Sequence, residues 1–154
     1  MCSKFFIFLM ILILGVNAYA QELKKYRFSE VEKLIKIKEK PIILFVSTSW
    51  SKYCKVMQKT TFQNKAVISE LNKNYYFLEL EADSEEEIVF QNKIYKFKPY
   101  GVNMGYNEIL GYFLKKDQIV FPSVILLDSN WKPLFLMQSK LNSKQFLEFF
   151  SVKK

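Results

Sequence analysis

The chain has 154 residues, 50% of them hydrophobic and 17% aromatic, and carries a formal net charge of +8 from 23 basic and 15 acidic side chains. It contains no histidine, which excludes His-based catalytic triads and the common zinc sites, and its two cysteines cannot replace them. Arg27 is the only arginine and the lysines are spread along the chain. The charge therefore reads as a solubilising surface, with weak attraction to anionic envelopes as a lesser alternative, and not as the concentrated basic face of a nucleic-acid site.

Lys4, the apolar run 5–14 and Ala18-Tyr19-Ala20 supply the three parts of a secretory signal peptide and predict cleavage before Gln21. An uncleaved membrane anchor is the alternative, but the run is short of the roughly 20 residues a spanning helix needs. A lipoprotein is disfavoured because Cys2 precedes the run instead of ending it. Residues 1–20 are thus expected to be a signal peptide and 21–154 one domain, touching membrane only through the signal. Loss of Cys2 leaves Cys54 as the single cysteine of an exported chain. That predicts no intramolecular disulfide, a fold held by packing, and thiol chemistry only with a second molecule.

Ser29-Glu30-Val31-Glu32 has the capping-box pattern, and apolar residues at helical spacing predict an amphipathic helix over 30–39 that Pro41 stops. Residues 42–46 are apolar on both faces and β-branched, as expected of a central buried strand. Ser47-Thr48-Ser49 then leads to Trp50 and a helix over 52–59, a second helix over 64–73 and a strand over 75–81. Val89-Phe90 and 94–97 flank Gln91-Asn92-Lys93 as a small hairpin, Pro99, Gly101 and Gly105 mark a loop, and Asn107 is a candidate cap for a helix through Lys115. A strand over 123–128, a turn at 129–132, a strand over 133–137 and a closing helix capped by Asn142 or Ser143 complete the chain. The order predicts an α/β fold, a central mixed sheet flanked by helices.

Trp50-Ser51-Lys52-Tyr53-Cys54-Lys55-Val56-Met57 follows a buried strand and opens a helix, and Phe121-Pro122-Ser123 precedes another strand. With Thr61-Phe62, Tyr95-Lys96-Phe97 and Gly105-Tyr106-Asn107-Glu108-Ile109-Leu110, these features resemble the exported thioredoxin-like family, whose motif often reads W-C-x-W-C-K-x-M. The resemblance covers about residues 28–150 and implies a thioredoxin-like fold, an insertion over about 84–107, and a cis-proline loop at Pro122. It also implies a link to thiol-disulfide redox homeostasis and a shallow substrate groove involving Trp50, Lys52, Tyr53, Phe121 and Pro122.

One departure dominates. In the register set by Trp50, Lys55 and Met57, Ser51 replaces the attacking cysteine and Cys54 holds the resolving position. A serine hydroxyl does not substitute in an exchange that runs through thiolate, so the dithiol cycle is not expected to run. A competing register makes Cys54 the first cysteine of C-x-x-M. Phe45 also stands where many thioredoxins bury a proton-exchanging acid.

Two functions follow from different classes. One is a monothiol redox protein, with Cys54 forming a mixed disulfide with a small thiol or an exported protein, Lys52 and Lys55 lowering its pKa if it is exposed. The other is a non-catalytic module that holds an exported peptide in the cis-proline groove. For Cys54 the bland alternative is an inert, half-buried thiol; for Trp50, Tyr53 and Phe121 it is packing alone. No cofactor or metal is expected: Glu79, Glu81, Asp83 and 85–87 lack the glycine and ligand alternation of a calcium loop and read as a solvated strand end.

Overall fold

All six residues of one strand, Ile42–Ser47, are buried, and the other elements are arranged around it. The computed structural model describes residues 21–102, 104–115 and 119–151. The segment 1–20, where the signal peptide is expected, lies outside these, and no helix among the described residues is long and apolar enough to cross a membrane.

In chain order the elements are β1 (Lys25–Tyr26), α1 (Phe28–Ile37), β2 (Ile42–Ser47), α2 (Lys52–Lys59), a 3-10 turn (Thr61–Gln63), α3 (Lys65–Asn74) and β3 (Tyr76–Glu81). The insertion follows as β4 (Ile88–Phe90), β5 (Lys93–Tyr95), β6 (Phe97–Gly101) and β7 (Met104–Asn107). Then come α4 (Leu110–Phe113), β8 (Ser123–Leu127), β9 (Pro133–Met137) and α5 (Ser143–Phe150). The main sheet has the order β1-β3-β2-β8-β9; β2 runs parallel to β3 and antiparallel to β8.

Side chains of a strand alternate between its faces, and β2 feeds two cores. Ile42, Leu44 and Val46 join Phe28, Val31, Phe90, Phe113 and Trp131 on one side. Ile43 and Phe45 join Cys54, Met57, Phe62, Leu71 and Phe146 on the other. Burying both faces explains why this segment is apolar throughout.

Four local expectations change. Helix α1 begins at Phe28, not after Ser29, because Glu30 reaches back to accept the Arg27 backbone N–H at 2.7 Å. Strand β1 is additional; its two residues are too few to leave an alternation in the sequence. The stretch around Pro99, Gly101 and Gly105 is a second hairpin, β6–β7, not a loop. Gly105 permits it: a Cβ there would collide with the Phe97 ring and come within 2.7 Å of the Lys98 carbonyl oxygen. Lastly, the helix expected from Asn107 to Lys115 is reduced to Leu110–Phe113. The Asn107 backbone N–H is bonded to the Ala82 carbonyl at 2.8 Å, which keeps this residue in the strand.

Elsewhere Gln91 and Asn92, with φ of 50° and 60°, make the two-residue turn between β4 and β5, a geometry matched to strand twist. Trp131 also has positive φ, at 66°, and its ring stacks on Phe28 and meets Phe90 edge-on with centroids 4.6 Å apart. Burial of that ring offsets the backbone cost.

Candidate functional site

At the end of β2 the chain turns through Ser47-Thr48-Ser49 into α2. The turn is fastened by Asp83, just beyond β3, whose carboxylate accepts the Ser49 backbone N–H at 2.9 and 3.1 Å and the Ser49 hydroxyl at 2.6 Å. Trp50 follows with 63% of its surface exposed. Ser51 is the N-cap of α2, and its Oγ accepts the Cys54 backbone N–H at 3.3 Å. That satisfies one of the helix's otherwise free donors.

Cys54 has no exposed surface. It faces the sheet among Phe45, Met57 and Phe62, while Lys52 and Lys55 lie exposed on the other side of α2. The exposure on which their influence over the thiol depends is not met. Met57, one turn further on, uses its sulfur to accept the Leu141 backbone N–H at 3.4 Å. Tyr53 is 61% exposed, with the Lys140 ammonium 5.9 Å from its ring centroid.

Across from α2, the Phe121–Pro122 peptide is cis and Pro122 is buried. The half-buried Phe121 ring meets Trp50 edge-on, centroids 6.0 Å apart at 87°. Trp50 and Phe121 are thus brought together, as are Ser51 and Cys54, whereas Tyr53 pairs with Lys140 and stands apart from the Trp50–Phe121 contact.

Sequence reasoning missed the contribution of the insertion. Tyr106 on β7 also meets the Phe121 ring edge-on, at 5.3 Å, and Tyr100 on β6 packs on Tyr106 at 5.3 Å. With Trp50, Met104, Asp83 and Glu85 they border an open cleft of about 990 Å³. Burial first, then the Tyr100 hydroxyl and the charges of Tyr100 and Asp83, push the Tyr106 phenol up to about 12. Turn-forming residues in the same stretch concealed the alternation that would have put these rings on one face.

A mixed sheet covered by helices on both faces, with a capped helix opening after the central strand and a proline loop opposite its N-terminus, defines a thioredoxin-fold protein. The family described as a thioredoxin-like domain matches residues 28–151, and the chain belongs to it. Among solved structures, the DsbH oxidoreductase is 18% identical with a TM-score of 0.60, over 88% of each chain. A thioredoxin from Thermus thermophilus is 12% identical with a TM-score of 0.59, covering 83% of this chain and 84% of that one. The oxidised C-terminal domain of DsbD from Neisseria meningitidis is 14% identical with a TM-score of 0.53, covering 79% and 88%. At these identities the likeness is one of fold. Comparison with curated protein sequences found no significant match.

Proposed function

We propose that this is an exported thioredoxin-like protein of thiol-disulfide homeostasis that binds extended segments of partner proteins and has lost the dithiol cycle. On this reading residues 1–20 direct export and 21–154 form the working domain. The carrying observation is a contrast in one short stretch: Trp50 is 63% exposed, whereas Cys54 is fully enclosed. Thiol exchange starts from an accessible thiolate. The residue at the helix N-cap, where the attacking sulfur of the family's dithiol members is expected, is Ser51, and a hydroxyl does not take over that step.

Recognition of an extended chain needs only backbone hydrogen bonds and apolar contacts. Trp50 and the half-buried Phe121 offer the second, with the buried Pro122 shaping the loop and Lys52 and Tyr53 at the margin. The partner is an exported protein or peptide, and Cys54 acts at most as a monthiol toward it or toward a small thiol, when the first turn of α2 opens.

Titration of the folded protein with a thiol reagent across pH tests this. Labelling roughly 100-fold slower than in the unfolded chain is expected, because modification waits on local opening. Fast labelling of the folded protein with a depressed thiol pKa is the opposite outcome, and it makes the protein a monothiol redox enzyme.

A further inference from the structure

The cleft between the Trp50 turn and the β6–β7 hairpin combines exposed aromatic rings with an excess of carboxylates. The protein carries a net charge of +8, yet among the described residues the charged ones bordering this cleft are Asp83, Glu85 and Glu87 against Lys96 alone. Lys96 is itself tied to Glu87 at 2.8 Å. Asp83 is occupied by Ser49, so Glu85 is the carboxylate at this rim with no hydrogen-bond or ion-pair partner among the described residues. Aromatic rings make the wall: Trp50 and Tyr100 are 63% and 59% exposed, and Tyr106 stands between Tyr100 and Phe121. Aromatic faces beside unneutralised carboxylates attract an organic cation through the ring quadrupole and through charge.

Three successive ring contacts, Trp50–Phe121, Phe121–Tyr106 and Tyr106–Tyr100, join the cis-proline loop to this cleft without a break. Trp50 and Tyr106 border the cleft and touch Phe121 directly, and its far ring, Tyr100, is at most about 11 Å from Phe121, the reach of about three extended residues. We propose that the cleft receives a lysine or arginine side chain of the same extended peptide that crosses the Phe121–Pro122 loop. This rests on the groove reading above and adds a charge preference to it: partners carry a basic residue within about three positions of the segment lying beside Pro122.

Two pairs of probes test it by NMR on the protein. The first pair is Nα-acetyl-lysine amide and its uncharged counterpart Nα-acetyl-norleucine amide. The second is an unstructured ten-residue peptide of alanine, serine and valine with one central lysine, and the same peptide with norleucine there. The lysine forms are expected to shift the Trp50 indole and the Tyr100 and Tyr106 ring signals, with the norleucine forms binding roughly fivefold more weakly. Added salt, or Glu85→Lys at the exposed rim, is expected to erase that difference. Equal binding of lysine and norleucine forms, or no shift of the cleft signals by either lysine probe, overturns the cation site. If the peptides still move Tyr53 and Phe121 in that case, groove binding stands and only the charge preference fails. If instead lysine amide moves the cleft signals while no peptide moves Phe121, the groove reading fails, and with it the peptide as carrier.

Discussion

Ser51 Oγ accepts the backbone N–H of Cys54 at 3.3 Å, so this serine serves as the N-cap of the helix turn that carries the buried thiol. A cap and a nucleophile make different demands on the same position. Capping needs a short side-chain acceptor folded back on the helix, and serine is among the best residues for it.

Ser51→Cys puts a second thiol three residues before Cys54. Under oxidising conditions the variant is expected to form a disulfide between the two, seen as loss of both free thiols in the unfolded chain. Two thiols persisting would show that Ser51 does not occupy the partner position. In the reduced state the variant is expected to be about 1 kcal/mol less stable than the parent, because the cap is lost.

Trp50→Ala separates binding from folding. The indole is mostly exposed and its ring contact is an edge meeting with Phe121. Stability is expected to change by less than about 1 kcal/mol in urea denaturation. Affinity for an extended peptide is expected to fall at least about tenfold by fluorescence polarisation, the usual weight of an aromatic anchor. Unchanged affinity sinks the groove reading.

Most of the architecture was legible because its signals do not compete. The run Ile42 to Val46 has no polar interruption, and the Gln91-Asn92 pair lies between two apolar segments. The closing helix carries its own cap: Asn142 Oδ1 accepts the Gln145 backbone N–H at 2.9 Å. The insertion was legible only in part, because Pro99, Gly101 and Gly105 are turn residues used inside a hairpin. What Gly105 supplies there is room for the Phe97 ring, a cross-strand relation that no local pattern encodes. For the same reason the meeting of Tyr106 with Phe121 was invisible. It depends on how β6–β7 is laid against the proline loop, and the two residues are distant in the chain.

The high-pH limb of stability has a specific source. Tyr106 is pushed up to about 12 from an ordinary value of 10.0, first by burial, then by Tyr100 and Asp83. Tyr75 and Tyr76 are raised as well, chiefly by burial. Between those values the unfolded chain releases a proton that the folded chain keeps, so unfolding gains as pH rises. Stability from Tyr106 is expected to be complete below pH 10 and to be lost progressively as pH rises toward about 12. Urea midpoints at about pH 9 and about pH 11 measure the decline, and Tyr106→Phe is expected to make it shallower. A decline of equal steepness in the variant rules Tyr106 out as a source.

Asn107 ties the insertion to the sheet. Its side chain, 1% exposed, donates to the Glu86 carbonyl at 3.0 Å and the Tyr95 carbonyl at 3.4 Å, and accepts the Ile109 backbone N–H at 3.1 Å. Asn107→Ala leaves the Tyr95 carbonyl and the Ile109 N–H without their partner in a buried setting and is expected to cost about 2–3 kcal/mol. Asn107→Asp is expected to be no better, since it keeps the bond from Ile109 but turns a carboxylate toward two carbonyl oxygens. The loss should be local. Hydrogen exchange is expected to quicken in 88–107 and to stay slow in β2 and β8, whose ladders do not involve Asn107. If β2 and β8 exchange faster by the same factor as the insertion, the insertion is part of the cooperative core, and the cleft beside Trp50 is as rigid as the sheet beneath it.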